Sequence, residues 1–406
     1  LEYQTHTLAN GLRLVHLPDN RPVAYCGLLV NAGSRDEKEH EHGIAHFIEH
    51  VIFKGTTRRK AYHILSRMDD VGGEINAYTT KEETAFYTAF LNPHYDRALD
   101  LLSDIVFHSI FPVNELEKEK AVIIDEINSC KDNPADLIFD DFEELVFHNH
   151  PIGRNILGTP RQLQSFTRDD IFRFMNRNYH TNQMVICSTG QIKFSKLVRL
   201  VEKHFGDIPE RVRNWHRDPF TGYRTREKIN RINTHQAHCI MGNIAYNVMD
   251  QRRLTLMLLN NLLGGQGLNS RLNLSLREKH AYAYDIESTF TPYFDTGVLS
   301  VYFGTDKEKL DKSIKLVHYE LNKLRTKKLG TLQLRRAKNQ ILGQIAIASE
   351  NRENLILTVA KSFLLFNRFD SYKVISRTIE SITSSQLIET ANEILDPNQL
   401  STLIFQ

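Results

Sequence analysis

The sequence predicts an α+β chain of two homologous domains of about 200 residues each, every domain an antiparallel-rich mixed sheet packed with helices. Three observations carry this. The 406 residues, at about 150 per domain, make room for two or three domains, and 41% hydrophobic content fills cores of that size. Strand-like pairs alternate with helical pairs and long amphipathic helices in the first half. The same order restarts after a stretch holding Pro209, Pro219 and Gly222. The expected divisions are a first domain at 1–207, a linker at 208–225 and a second domain at 226–406.

Residues 6–17 and 22–32 are β-rich and joined by Asp19-Asn20-Arg21-Pro22, which predicts a hairpin. Helices follow at 43–54 and 60–71. Strands are expected from GGEINAYTT at 72–80 and EETAFYTAFL at 82–91, where Thr, Tyr and Phe recur at alternating places. Amphipathic helices come next at about 93–109, 114–131 and 135–147. A helix near 168–179, a strand at 183–190 and a helix at 193–204 close the half. The second half offers strands at 226–232 and 236–245, helices at 250–263 and 270–280, and strands at 283–290 and 296–304. Long helices at 307–325 and 330–349, further helices and a terminal strand LSTLIF complete it.

Lys+Arg 51 against Asp+Glu 49 provides no global positive field for nucleic acid. Arg211, Arg213, Arg217 and Arg224 cluster with Trp215, but Glu210 and Asp218 interleave, and a solvated linker accounts for them. The longest nearly apolar stretch, Leu355 to Phe366, is interrupted by Lys361 and falls short of the roughly 20 residues that span a bilayer. No membrane span is expected. The start, LEYQTHTLANGLR, lacks the basic head and apolar run of a signal peptide. Cys26, Cys130, Cys187 and Cys239 form no CxxC pair and read as reduced, mostly buried thiols, which favours a cytoplasmic address.

The chemistry concentrates in His46-Phe47-Ile48-Glu49-His50. On a helix at 100° per residue, His46 and His50 lie about 40° apart and one turn up, so two imidazoles point to one place. Glu49 falls about 60° to the other side of His46, a carboxylate able to hold a water on a metal bound there. Zinc suits such a set, since its catalytic sites take three protein ligands and keep a fourth position for water. Ile44, Phe47, Ile48, Val51 and Ile52 make the helix apolar almost all round, so the three polar residues are expected to be enclosed and to need partners. His40 and His42 repeat the spacing with His46 but lack the acid and read as exposed loop residues.

A third ligand must come from another element, and NELEKEKAVIIDEINSCK at 114–131 is rich in acids. Helical phase puts Glu119, Ile123, Glu126, Ile127 and Cys130 on one stripe, with Asp125 on a more polar one. Glu126 is expected to face inward, and Glu119, two turns earlier, to accept a hydrogen bond from a ligand histidine. Phase alone leaves the choice between these two glutamates open.

These features resemble the inverted-zincin peptidases of the pitrilysin and insulinase family, M16, in particular its short two-domain members akin to the β subunit of the mitochondrial processing peptidase. The likeness runs over nearly the whole chain: HxxEH at 46–50, a Glu 76 residues past His50, GGEINAYTTKEET at 72–84, HPIGRNILGT at 150–159 and LGGQGLNSRLNLSLREKHAYAY at 263–284. The resemblance implies one zinc per chain on His46, His50 and Glu126, with Glu49 as general base and Glu119 as a supporting acid. It maps the substrate-binding edge strand to Asn76, Ala77, Tyr78 and Thr79, where main-chain hydrogen bonds would hold a peptide. It also assigns Arg277 and Tyr284 to gripping the substrate backbone and polarising the scissile carbonyl; read without it, Arg277 caps a helix and Tyr284 packs in a strand. The family usually has Gly where this chain has Ala281, which stiffens the turn between the pair. Gly264, Gly265 and Gly267 read as a loop needing open backbone geometry.

The second half has no HxxEH, since DQRRLTLMLLNNLL contains no histidine. The expected activity is a zinc-dependent endopeptidase acting on peptides or unfolded segments within a chamber enclosed by a homodimer, the first domain of one protomer facing the second of the other. The alternative is a non-catalytic structural or partner-dependent subunit of a heterodimer.

Overall fold

A computed structural model describes residues 2–406. Its strands are β1 (Gln4–Thr7), β2 (Arg13–Pro18), β3 (Val23–Val30), β4 (Glu74–Thr79), β5 (Thr84–Leu91) and β6 (Met184–Gly190) in one sheet. A second sheet contains β7 (Glu227–Asn230), β8 (Ala237–Ile244), β9 (Ala283–Pro292), β10 (Gly297–Thr305) and β11 (Ser401–Phe405). The orders are β1-β2-β6-β3-β5-β4 and β7-β11-β8-β10-β9. Leaving out β1, the two sheets match strand for strand. In each, the first strand of the unit runs parallel to the last, and every other neighbour is antiparallel. This repetition of order and direction is what the duplicated α+β reading requires.

The helices are α1 (Ile44–Val51), α2 (Ala61–Asp69), α3 (Tyr95–Phe107), α4 (Val113–Lys131), α5 (Pro134–Val146), α6 (Pro160–Ser165), α7 (Arg168–Asn178) and α8 (Phe194–Phe205) in the first half. In the second half they are α9 (Arg253–Gly264), α10 (Leu310–Thr326), α11 (Thr331–Ala348), α12 (Arg352–Phe366), α13 (Tyr372–Ser381) and α14 (Ser384–Ile394), with a π-helical segment at Asn273–Lys279. Local chemistry sets their ends: Thr167 and Asp170 form a capping box on α7, and Asn133 followed by Pro134 opens α5.

The two compact units are not the two linear halves. The first comprises residues up to Ile127, Ile156–Arg217 and Ile347–Ser371; the second comprises Asn128–Asn155, Asp218–Ala346 and Tyr372–Gln406. Each unit therefore takes a helix from the other half. In the first, Leu14, Cys26, Leu28 and Ile186 face a core with α1 and α3, while the alternate positions Val15, Leu17, Leu29, Val185 and Cys187 face Ile356, Val359 and Phe363 of α12. In the second, Cys239, Met241, Val301 and Phe303 face α9 and α10, and the alternate Ile240, Tyr302 and Leu403 face Ile138, Phe142 and Val146 of α5. Strands apolar on both faces need a helix layer on each side, and α12 and α5 supply the second layer.

Two expectations are corrected here. Residues 6–17 and 22–32 do not form a hairpin, because β6 lies between β2 and β3. The hairpin is instead β1–β2, closed by Leu8 N donating to Leu12 O at 2.9 Å, with Gly11 at φ +85°. Gly11 tolerates that backbone; Asp19–Pro22 contain no glycine. The stretch 208–225 is not a solvated linker throughout: Arg217 is buried against Asp36, and the Arg213 guanidinium lies 4.2 Å from the Trp215 ring centroid. Cys26, Cys187 and Cys239 are buried free thiols, and Cys130 is half-buried. Among the described residues no helix is long and apolar enough to cross a membrane.

Candidate metal centre

α1 is set in place before its histidines do anything. Gly43 begins it at φ +97°, and a Cβ there would meet Leu157 O at 2.7 Å, so only glycine fits. The buried Glu37 carboxylate accepts from Gly43 N and Ala45 N, both at 2.9 Å, satisfying amides that the first turn leaves unpaired. Ile44, Phe47, Ile48 and Val51 are fully buried in the first core.

With α1 held this way, His46 and His50 stand side by side, ring centroids 4.6 Å apart. Glu126 of α4 faces both: its Oε2 is 3.8 Å from His46 Nε2 and 3.5 Å from His50 Nε2. Ligand atoms of the three residues all lie within 4.8 Å of one another. Donors around a tetrahedral zinc, each about 2.0–2.2 Å from it, are separated by about 3.3–3.6 Å, so the set fits such an ion with little adjustment. Burial, and then the neighbouring His50, lower the pKa of His46 to about 4, which favours the neutral imidazole a metal requires.

Glu119 of α4 lies on the far side of His50, its Oε2 3.3 Å from Nδ1, and its other oxygen meets Lys54 Nζ at 2.5 Å. Its side chain is 12% exposed, against 45% for Glu126. Glu126 thus turns toward the two histidines as expected, but at the open mouth of the site, and Glu119, which contacts His50, is the more enclosed of the two acids. His42 is half-buried rather than exposed, while His40 is exposed. Burial raises the pKa of Glu49, opposed by the neighbouring Thr79 and by His50.

Thr79 ends β4, an edge strand that pairs, among the described residues, with β5 alone, and α1 packs against β4. Asn76 is exposed and Ala77, Tyr78 and Thr79 are half-buried. The free side of β4 can take another extended chain. Lys54 was not anticipated; its spacing of four from His50 was the available signal.

In the second unit the Arg277 guanidinium is 5.9 Å from the Tyr284 ring centroid. Tyr284 is 83% exposed on β9, so it does not pack in the sheet. Gly264, Gly265 and Gly267 do not have positive φ, which corrects the open-backbone reading. Crowding explains Gly264, where a Cβ would meet Ser288 Cβ at 2.8 Å and Leu272 Cδ1 at 2.9 Å. Ala281 is the residue with the unusual backbone, at φ +50°. Ala281→Gly is expected to stabilise the second unit by about 1 kcal/mol, the left-handed penalty less part of glycine's chain entropy. A urea midpoint that falls would refute this.

The chain has clear relatives. The family model described as Insulinase (Peptidase family M16) matches residues 14–160, and that described as Peptidase M16 inactive domain matches residues 165–341. The chain is 32% identical to the uncharacterized zinc protease YmxG of Bacillus subtilis, over 98% of this chain and 97% of that protein. It is 31% identical to an uncharacterized zinc protease of Rickettsia bellii, over 99% and 97%. Its fold matches a protease from Helicobacter pylori at TM-score 0.89 and 22% identity, over 100% of this chain and 99% of that one. A peptidase M16 inactive domain from Pseudomonas fluorescens matches at TM-score 0.93 and 18% identity, over 100% and 98%.

Proposed function

Since the chain belongs to peptidase family M16, the insulinase family, we propose that it is a zinc-dependent endopeptidase that hydrolyses peptides or unfolded segments. The observation that carries this reading is the convergence of His46 and His50 from α1 with Glu126 from α4. These three would hold one zinc per chain, which when bound acidifies a water and polarises a carbonyl. Glu49 takes the proton from the attacking water and passes it to the leaving amine. The peptide lies along β4, its main chain paired with Asn76, Ala77, Tyr78 and Thr79, so that affinity depends little on side chains. Arg277 and Tyr284 grip the substrate backbone, and Tyr284 donates to the developing oxyanion.

The absence of histidine from α9 supports a division of labour in which the second unit binds and the first reacts. The Arg277–Tyr284 pair is open to solvent, which supports presentation to a partner protomer: a homodimer with a composite site enclosing a chamber. One experiment tests these readings together. The purified chain is sized and then incubated with a mixture of unstructured peptides, with and without chelator, and the fragments are read by mass. Chelator-sensitive internal cleavage by a dimer is expected. Absence of cleavage from metal-replete protein would favour the structural or partner-dependent subunit, and an active monomer would remove the composite site.

A further inference from the structure

We infer that Lys54 is a positioning residue that sorts the two glutamates of α4, holding Glu119 on the outer nitrogen of His50 and leaving Glu126 to the metal. The inference rests on the zinc peptidase reading above. Glu119 and Glu126 share a stripe of α4 and both reach His50, at Nδ1 (3.3 Å) and Nε2 (3.5 Å) respectively. They are chemically identical, so residue type does not decide which becomes a ligand. Their other contacts differ. Lys54 Nζ meets Glu119 Oε1 at 2.5 Å, while Glu126 has no lysine or arginine ion partner among the described residues.

The Lys54 side chain is 23% exposed and that of Glu119 12%, so solvent screens this pair less than a surface pair. Tied by one oxygen, Glu119 has its second left for His50 Nδ1. A carboxylate there accepts a hydrogen bond from Nδ1–H, which fixes that tautomer and leaves the Nε2 lone pair facing Glu126 and His46. His46 has no such support, since its Nδ1 is buried without a hydrogen-bond partner among the described residues. The orientation of the pair of imidazoles therefore depends on the Lys54–Glu119–His50 chain. Without Lys54, Glu119 is free to swing toward the ion and compete with Glu126.

The test uses the full chain and Lys54→Met, which keeps the apolar stem and removes the charge, with Lys54→Arg, Glu119→Gln and the Lys54→Met/Glu119→Gln double variant. Zinc dissociation constants come from competition with a chromophoric chelator, and the visible spectrum of the cobalt-substituted protein reports the ligand set. Lys54→Met is expected to weaken zinc binding about 10-fold or more and to alter the cobalt spectrum, whereas Lys54→Arg stays within about threefold of wild type. The double variant should bind no more weakly than Glu119→Gln alone, because both substitutions act through one carboxylate. Unchanged zinc affinity and cobalt spectrum in Lys54→Met, or effects that add in the double variant, would overturn the inference while leaving a wild type that binds zinc and cleaves peptides. A wild type that binds no zinc would overturn the peptidase reading itself, and the role of Lys54 with it. Thermal unfolding of each apo-protein separates a loss of metal from a loss of fold.

Discussion

Glu49→Gln is expected to lower kcat/KM by about 10²–10⁴-fold while the chain still binds one zinc. The two effects separate because of where Glu49 stands. It is on α1 with the histidines, yet it is not among the three residues whose donor atoms converge. Glutamine keeps the shape, but it cannot accept a proton from the attacking water. Burial raises the pKa of the native carboxyl, with Thr79 and His50 pulling the other way. Glu126→Gln is the contrasting control, since it removes a donor and should release the metal. Steady-state cleavage of a quenched peptide, alongside metal analysis after dialysis, measures both quantities. Near-normal turnover by Glu49→Gln would remove the general-base assignment, and loss of zinc would make Glu49 a ligand.

Local periodicity carried much of this site into view. His46, Glu49 and His50 are three and four residues apart on one helix, so 100° per residue suffices to place them. Choosing between Glu119 and Glu126 required the packing of α4 on α1, which phase does not contain. Lys54 follows the helix and owes its role to a residue 65 positions later. The same limit explains the fold. The alternation in β3 or β10 says that both faces are covered, but an amphipathic helix does not name the sheet it covers, so the exchange of α5 and α12 was not legible. The β2–β3 hairpin failed for the same reason: turn residues report local reversal, and the intervening β6 comes from more than 150 residues away. Ala281 was singled out by resemblance, and its positive φ supplies the physical reason.

Arg217→Ala is expected to cost about 3–5 kcal/mol of stability, far more than a charged residue in a presumed linker would suggest. Arg217 makes a two-pronged contact with Asp36, Nε to Oδ1 at 2.8 Å and Nη2 to Oδ2 at 2.7 Å, and donates to Glu82 O at 2.7 Å. The Asp36 side chain is fully buried, so removing the guanidinium strands a charge away from water. Burial opposes the Arg217 charge, but the Asp36 carboxylate and its hydrogen bonds more than offset this and raise the pKa. Arg217→Lys keeps a charge but not the fork, and should recover only part of the loss. The double variant Asp36→Asn/Arg217→Met should cost less than Arg217→Ala, because no unpaired charge remains. Arg224→Ala, an exposed residue of the same stretch, should lie within about 0.5 kcal/mol of wild type. Equilibrium urea unfolding checks the series, and a loss below about 1 kcal/mol for Arg217→Ala would mean that water reaches Asp36. The consequence extends to the metal centre, because Asp36 is followed by Glu37, whose carboxylate holds the first amides of α1. Loosening that turn displaces the helix that carries both histidines, so Arg217→Ala should also bind zinc more weakly although Arg217 is not among the metal-binding residues.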